Sequence, residues 1–201
     1  MGTVIPLKKE INNSYLELKN LVGSGLDNVS EVIKQKLSSE INLIHKMTDY
    51  HLNSGGKRIR PLLTLAASKL CGYNGGSRNI NLAACIELIH SATLLHDDVI
   101  DDSDLRRGIK TANVVWGNQS SILVGDYLFS RCFELMVDDG SIEILKLLSS
   151  TSSTIAQGEV LQLEHKGEID MLEETYFNII NMKTAALFAG YSYSAYAFLD
   201  H

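Results

Sequence analysis

Apolar side chains recur at Val29, Val32, Ile33, Leu37, Ile41, Ile44 and Met47, three or four positions apart, which is the period of an amphipathic helix. The spacing predicts one helix over Asn28–Leu52, ended by Ser54-Gly55-Gly56, where glycine accepts backbone angles a helix does not use. Pro61 suits the first turn of a second helix, Leu62–Leu70, which stops at Gly72. Gly75-Gly76-Ser77 reads as a turn. A long helix is expected over Asn81–Asp101, with Leu82, Ile86, Ile89, Thr93 and Leu94 on adjoining faces. Ser103–Gly108 reads as a loop, and further helices are expected over Gln119–Val137, Ile142–Glu164 and Leu172–Leu199. The Ser149–Thr154 cluster falls inside a helical pattern and reads as a polar packing face. No two-residue alternation competes with these assignments, so the expected fold class is all-α.

Composition narrows this picture. The chain has 201 residues, enough for a single domain over 1–201 with a sizeable core. Only 2 prolines interrupt it, which permits long helices. A net charge of -6 argues against a nucleic-acid partner but leaves room for small phosphorylated ligands held by a local basic cluster. Cys71, Cys85 and Cys132 are odd in number and set in apolar stretches, so buried thiols in a reducing compartment are expected rather than disulfides or a zinc site. The first ten residues lack the apolar core of a signal peptide, and Pro6 stands where myristoylation requires Ser or Thr. No apolar run is long enough for a transmembrane segment. A cytoplasmic location is the expectation.

Charged residues then supply candidate chemistry. Asp97-Asp98 and Asp101-Asp102 stack carboxylates one helical turn apart, about 40° apart around the axis. Like charges at that spacing repel by roughly 0.2–0.5 kcal/mol per pair, and a helix C-terminus disfavours anions. A bound cation removes both penalties; Mg²⁺ suits oxygen ligands shared with substrate phosphates. A solvated patch balanced by Arg106 and Arg107 is the bland alternative. Gly55-Gly56-Lys57-Arg58-Ile59-Arg60 places three cations before a helix start, which is either an anion site or an exposed basic turn. Arg106 and Arg107 are adjacent and can point at different phosphate groups. His90 lies seven positions before Asp97, about 10 Å along the axis on nearly the same face. Lys183, beside Thr184 in an apolar helix, must snorkel or meet an anion.

Together these segments resemble a known family. SGGKRIRP (54–61), IELIHSATLLHDDVIDDSDLRRG (86–108), ILVGDYLFSR (122–131), GEVLQL (158–163) and KTAALF (183–188) are similar, in order and spacing, to the trans-polyprenyl diphosphate synthases. The likeness runs from about residue 8 to residue 190 and is strongest to bacterial long-chain members of the octaprenyl type. It implies the isoprenoid synthase helical bundle, Mg²⁺, a homodimer, and the substrates isopentenyl diphosphate and an allylic prenyl diphosphate. By the resemblance, Lys57, Arg60, His90 and Arg107 contact isopentenyl diphosphate. Asp97 and Asp101 hold Mg²⁺ with support from Asp98, Arg106 clamps the allylic diphosphate, and Lys183 and Thr184 complete the allylic site. The stretch from Ile86 to His96 lacks Phe, Tyr and Trp. In the family the chain resembles, a bulky residue just before the aspartates limits the product, so the resemblance implies that Ala92 and Thr93 leave room for a long one, and Ala92→Phe should shorten it.

The sequence departs from the family in one respect. The family carries a second aspartate-rich motif on a later helix; here only Asp200 follows Lys183-Thr184 as a carboxylate. The expectation is a bundle lacking its C-terminal helices, with exposed apolar surface and little activity alone. A non-catalytic accessory subunit of a heteromeric synthase is the alternative; a terpenoid cyclase would have no use for SGGKRIRP.

Overall fold

The computed structural model describes residues 7–74 and 76–190, with side chains from Ser14 onward. Nine α-helices and one small hairpin are found among them. The order is α1 (Leu7–Val22), α2 (Gly25–Lys36), α3 (Asn42–Asn53), α4 (Ile59–Leu70) and α5 (Arg78–Ile100), then β1 (Leu105–Arg106) and β2 (Ile109–Lys110). α6 (Ala112–Trp116), α7 (Asn118–Asp139), α8 (Ile142–Glu164) and α9 (Glu173–Ile180) follow. The all-α expectation holds among these residues apart from the hairpin.

Four differences from the sequence reading have local causes. The helix expected over Asn28–Leu52 is two helices. The Leu37 amide closes α2 on the Ile33 carbonyl at 2.9 Å, and the Ser39 hydroxyl then takes the Ile41 amide at 3.1 Å. A serine oxygen this close to the backbone competes with helical bonding. α1 and the short α6 were not expected. The loop expected over Ser103–Gly108 folds into the hairpin, in which Leu105 pairs with Lys110 and Arg106 with Ile109. Arg107 at φ 53° and Gly108 at φ 84° form its turn, both in the left-handed region that two-residue hairpins favour. Finally, α9 runs into a π-helical turn, Asn181–Ala185, before helix resumes to Gly190. The remainder of the helix expected to Leu199, Asp200, and Gly75 of the expected Gly75-Gly76-Ser77 turn lie outside the described residues.

α5 is the central helix. It is apolar on nearly every side and packs against α2, α4, α6 and α7. Helices buried all round lose the one-sided pattern of surface helices. Ile86, Leu88, Ile89, Ala92 and Leu95 are sealed in a core shared with Val29, Ile33, Met47, Leu62, Leu128 and Met136. Burial of each large side chain contributes about 1.5–3 kcal/mol. The α5–α7 contact is close: Ser121 donates to the Leu95 carbonyl at 2.9 Å, and a Cβ at Gly125 would fall 2.3 Å from the His96 ring nitrogen Nε2. The Cys85 and Cys132 thiols meet at 3.2 Å in the same seam, while Cys71 is half-buried. The hydrogen bond to Cys132 and burial push the Cys85 thiol well above its usual range. No helix among the described residues is long and apolar enough to cross a membrane.

α8 and α9 pack less fully. α9 buries only Ile179, and Phe177, Tyr176 and Leu172 are exposed.

Candidate functional site

The polar end of α5 faces two different groups of side chains. On one side lies a cavity of about 140 Å³ between the end of α3, the start of α4 and α5. Lys57, Arg60, His90 and Arg107, four residues singled out from the sequence, line it together. The Arg60 guanidinium donates from Nη1 to His90 Nε2 at 2.8 Å and stacks over the Phe188 ring at 5.5 Å. Burial, and next the charge of Arg60, push the His90 imidazole down to about 3. His90 is thus neutral at physiological pH and an acceptor for Arg60. Arg60 Nε is buried without a partner. An enclosed guanidinium N–H with no acceptor is a donor available to an oxyanion.

The backbone beside this cavity adopts uncommon conformations. Arg58, Asp102 and Arg107 are the non-glycine residues with positive φ among those described; Arg58 and Arg107 line the cavity, and Asp102 directly follows the C-cap of α5. Each such conformation costs roughly 1–3 kcal/mol, and such strain clusters where function requires it. Arg58 is fixed by a hydrogen bond from its guanidinium to the Ser30 hydroxyl. Gly56, at φ 143°, admits Arg107: a Cβ there would lie 2.5 Å from its Nη1. The Tyr15 hydroxyl donates to the Lys57 carbonyl at 3.0 Å.

On the other side of the helix end lie the carboxylates. Asp97 is half-buried; Asp101, one turn on, caps α5 and is exposed. Burial pushes the Asp97 carboxyl up to about 6, with Glu159 and Asp101 adding to the rise and Lys183 and Arg106 opposing it. The Lys183 ammonium donates at 2.6 Å to both the Glu159 carboxylate and the Gln162 side-chain oxygen. Gly158 permits this contact, since a Cβ would lie 2.8 Å from Met182 Cβ. Lys183 sits in the π-helical turn, a distortion often found at functional sites. Thr184 beside it is exposed.

Asp98 and Arg106 form a third unit. The buried Asp98 carboxylate accepts from Arg106 Nη2 at 2.6 Å and from Nε at 3.0 Å. That pair fastens the hairpin to α5, and Asn113 adds a bond to the Asp98 carbonyl at 3.2 Å. Adjacent Arg106 and Arg107 point to different targets, Asp98 and the cavity. Ala92 is fully buried in the core, whereas Thr93, one turn before Asp97, is half-buried and bonded to the His90 carbonyl at 2.8 Å.

Four polar residues of these sites were not singled out from the sequence: His51 and Glu87 in the cavity, and Glu159 and Gln162 on Lys183; Arg58, one of the three cations noted before α4, also lines the cavity. Glu87 carried a signal, being the one carboxylate between Ile80 and His96. Burial and the charge of Arg106 push His51 down to about 4. Among the described residues, no three His, Cys, Asp or Glu side chains converge as a ready metal cage. Asp97 and Asp101 do fit an ion that takes its remaining ligands from water and substrate. Burial, and next the nearby Glu159, raise the Asp97 carboxyl, and a bound cation would favour its ionised form.

The pattern of the family described as polyprenyl synthetase matches residues 41–200. The octaprenyl diphosphate synthase of Escherichia coli (strain K12) is 43% identical over 172 residues, which are 86% of this chain and 53% of that protein. A decaprenyl diphosphate synthase structure from Rhodobacter capsulatus superposes with a TM-score of 0.88 at 43% identity, covering 92% of this chain and 57% of the other. A polyprenyl synthase from Caulobacter crescentus CB15, complexed with calcium and isoprenyl diphosphate, gives a TM-score of 0.88 at 42% identity, covering 91% and 56%. The chain spans about half the length of the curated relatives it matches.

Proposed function

Because this chain belongs to the polyprenyl synthetase family, we propose that it serves trans-prenyl transfer, joining isopentenyl diphosphate to an allylic prenyl diphosphate to make a long-chain product. The observation that carries the reading is the pairing of two unlike sites on one helix. His90 belongs to a cation-lined cavity and Asp97, seven residues later, to a carboxylate face.

The cavity suits isopentenyl diphosphate. Lys57, Arg60 and Arg107 offer charge and fixed N–H groups, and neutral His90 orients Arg60. The carboxylate face suits the allylic partner. Asp97 and Asp101 would hold Mg²⁺, which when bound neutralises charge on the departing diphosphate. Lys183, steadied by Glu159 and Gln162, adds a fixed cation beside it, and exposed Thr184 a hydroxyl. Arg106 acts through Asp98, keeping the helix end and hairpin in place. In the reaction the allylic C–O bond breaks, the isopentenyl double bond forms the new C–C bond, and a proton leaves the isopentenyl unit. No protein nucleophile is needed; positioning and electrostatics supply the rate. That the similar Caulobacter protein is complexed with calcium and isoprenyl diphosphate supports a divalent ion and a diphosphate as ligands of this chain.

Product length is assigned to the face of α5 below Asp97. Thr93 is the nearer position and Ala92 the more enclosed one. Thr93→Phe should shorten the product; Ala92→Phe must also displace sealed core neighbours. We read the protein as cytoplasmic and dimeric, the dimer covering exposed Phe133 and Val137, one turn apart on α7.

The test is incubation with Mg²⁺, labelled isopentenyl diphosphate and farnesyl diphosphate, followed by extraction of prenyl products. Long labelled products that vanish in Asp97→Ala support the reading. Products that persist in Asp97→Ala would sink it. No product from a folded chain would favour the accessory-subunit alternative.

A further inference from the structure

The cation-lined cavity also contains an acid. Glu87 lines it from α5, one turn before His90, among Lys57, Arg58, Arg60 and Arg107. It makes no hydrogen bond or ion pair with any of them among the described residues. Arg58 is engaged with Ser30, Arg60 with His90, and Arg107 lies against Gly56. Glu87 therefore does not hold the arginines in place by contact; it acts on the cavity through space. Burial raises its carboxyl above the usual range, while Arg58, Arg60 and Arg107 favour its ionised form.

A carboxylate is an odd choice for an anion site, because it weakens the binding the cations create. We propose that Glu87 is a counter-charge that limits how tightly the cavity holds a diphosphate, so that the group can leave after each condensation. This rests on reading the cavity as the isopentenyl diphosphate site. Each condensation leaves the product's diphosphate where the isopentenyl unit brought it. A further round needs that group at the carboxylate face, so it must vacate the cavity. Four cations without Glu87 would retain it; the single opposing charge offsets one of them. Through-space interaction of unit charges in a partly enclosed site changes affinity about tenfold.

The cavity's cations need no metal, so the test is calorimetric titration of the full chain with metal chelated, using isopentenyl diphosphate and, separately, inorganic diphosphate. Glu87→Gln should bind both about tenfold more tightly than the wild type and show a steeper fall of affinity with salt. Glu87→Asp keeps the charge and should stay within about twofold of wild type. Glu87→Asn, shorter and also uncharged, gives the same reading should glutamine disturb the packing. Unchanged or weaker binding by uncharged variants with native helix content would overturn the inference while leaving the site assignment intact. A wild type that binds neither probe overturns the site assignment, and the inference with it.

Discussion

The two ends of the proposed reaction site differ in how complete they are. In the cation-lined cavity all three arginines already have a fixed geometry: Arg60 on His90, Arg58 on Ser30, Arg107 against Gly56. The walls come from α4 and α5, whose buried faces belong to the main core. The carboxylate face is the reverse. Burial, with the neighbouring Glu159 and Asp101 adding to it, pushes Asp97 up to about 6, Lys183 is paired with Glu159, and α9 leading to it buries only Ile179. One half is organised by packing; the other awaits positive charge. An anion should bind the first half without metal, whereas the second should need it.

The sharpest way to break that contrast is to cross the two halves. Arg60→Ala removes a guanidinium with one buried, unpartnered N–H. A hydrogen bond to a charged group is worth about 1.5–3 kcal/mol, so metal-free isopentenyl diphosphate binding should fall roughly 10- to 100-fold. Mg²⁺-dependent binding of farnesyl diphosphate should hardly change. Lys183→Ala should do the opposite. Calorimetry of both variants with both ligands checks this, and equal losses for both ligands would mean that the halves are not separate.

A second, smaller effect probes how the weaker half is held. Gly158→Val places side-chain atoms where Met182 Cβ is only 2.8 Å from the glycine's would-be Cβ. α8 and the π-helical turn must separate, carrying Lys183 away from Glu159. Overpacking of this kind costs about 1–3 kcal/mol. Farnesyl diphosphate binding should weaken about tenfold, with isopentenyl diphosphate binding retained. Gly125→Val, tight against His96 in the main core, should instead lower overall thermal stability.

The same contrast explains what the sequence could reveal. Asp97, Asp101, Lys57, Arg60 and Arg107 were legible because like charges or glycine–cation clusters stand together in the chain, where local repulsion and backbone freedom signal a ligand. Lys183 was legible only as a cation in need of an anion. Its partners Glu159 and Gln162 lie about one helix away and meet it only through tertiary packing over Gly158. His51 was lost because it was read as part of one continuous helix, and the Ser39 break before α3 cannot be seen in apolar spacing alone. Arg106 carried two readings, a ligand clamp and a charge balance. Its bonds to Asp98 are a fact of the hairpin, which no two-residue alternation announced. The helix bundle was therefore legible from periodicity, and the second coordination layer of the site was not.

The smallest expected effect is also the most specific to the carboxylate half. The Asp97 carboxyl sits at about 6 in the folded chain against 3.8 for a free one. Between those values the folded chain holds a proton that the unfolded chain has released. Its contribution to stability is therefore full below about pH 4 and lost as pH rises through 6. His51 and His90 act with the opposite sign: folding pushes them down to about 4 and 3, so total stability should rise from pH 4 to 6.5. Asp97→Asn isolates the aspartate, because both histidines remain. Relative to wild type, the variant should gain stability between pH 4 and pH 7.5 by about 1 kcal/mol after solvent screening, or a few degrees in melting temperature. Mg²⁺ at pH 7.5 should raise the melting temperature of wild type more than that of Asp97→Asn, since the ion supplies the positive charge that the asparagine no longer needs. Denaturation of both proteins at the two pH values, with and without Mg²⁺, measures each term. A stability difference that is flat with pH would show that Asp97 carries no unmet charge, and the distinction between the two halves would then rest on packing alone.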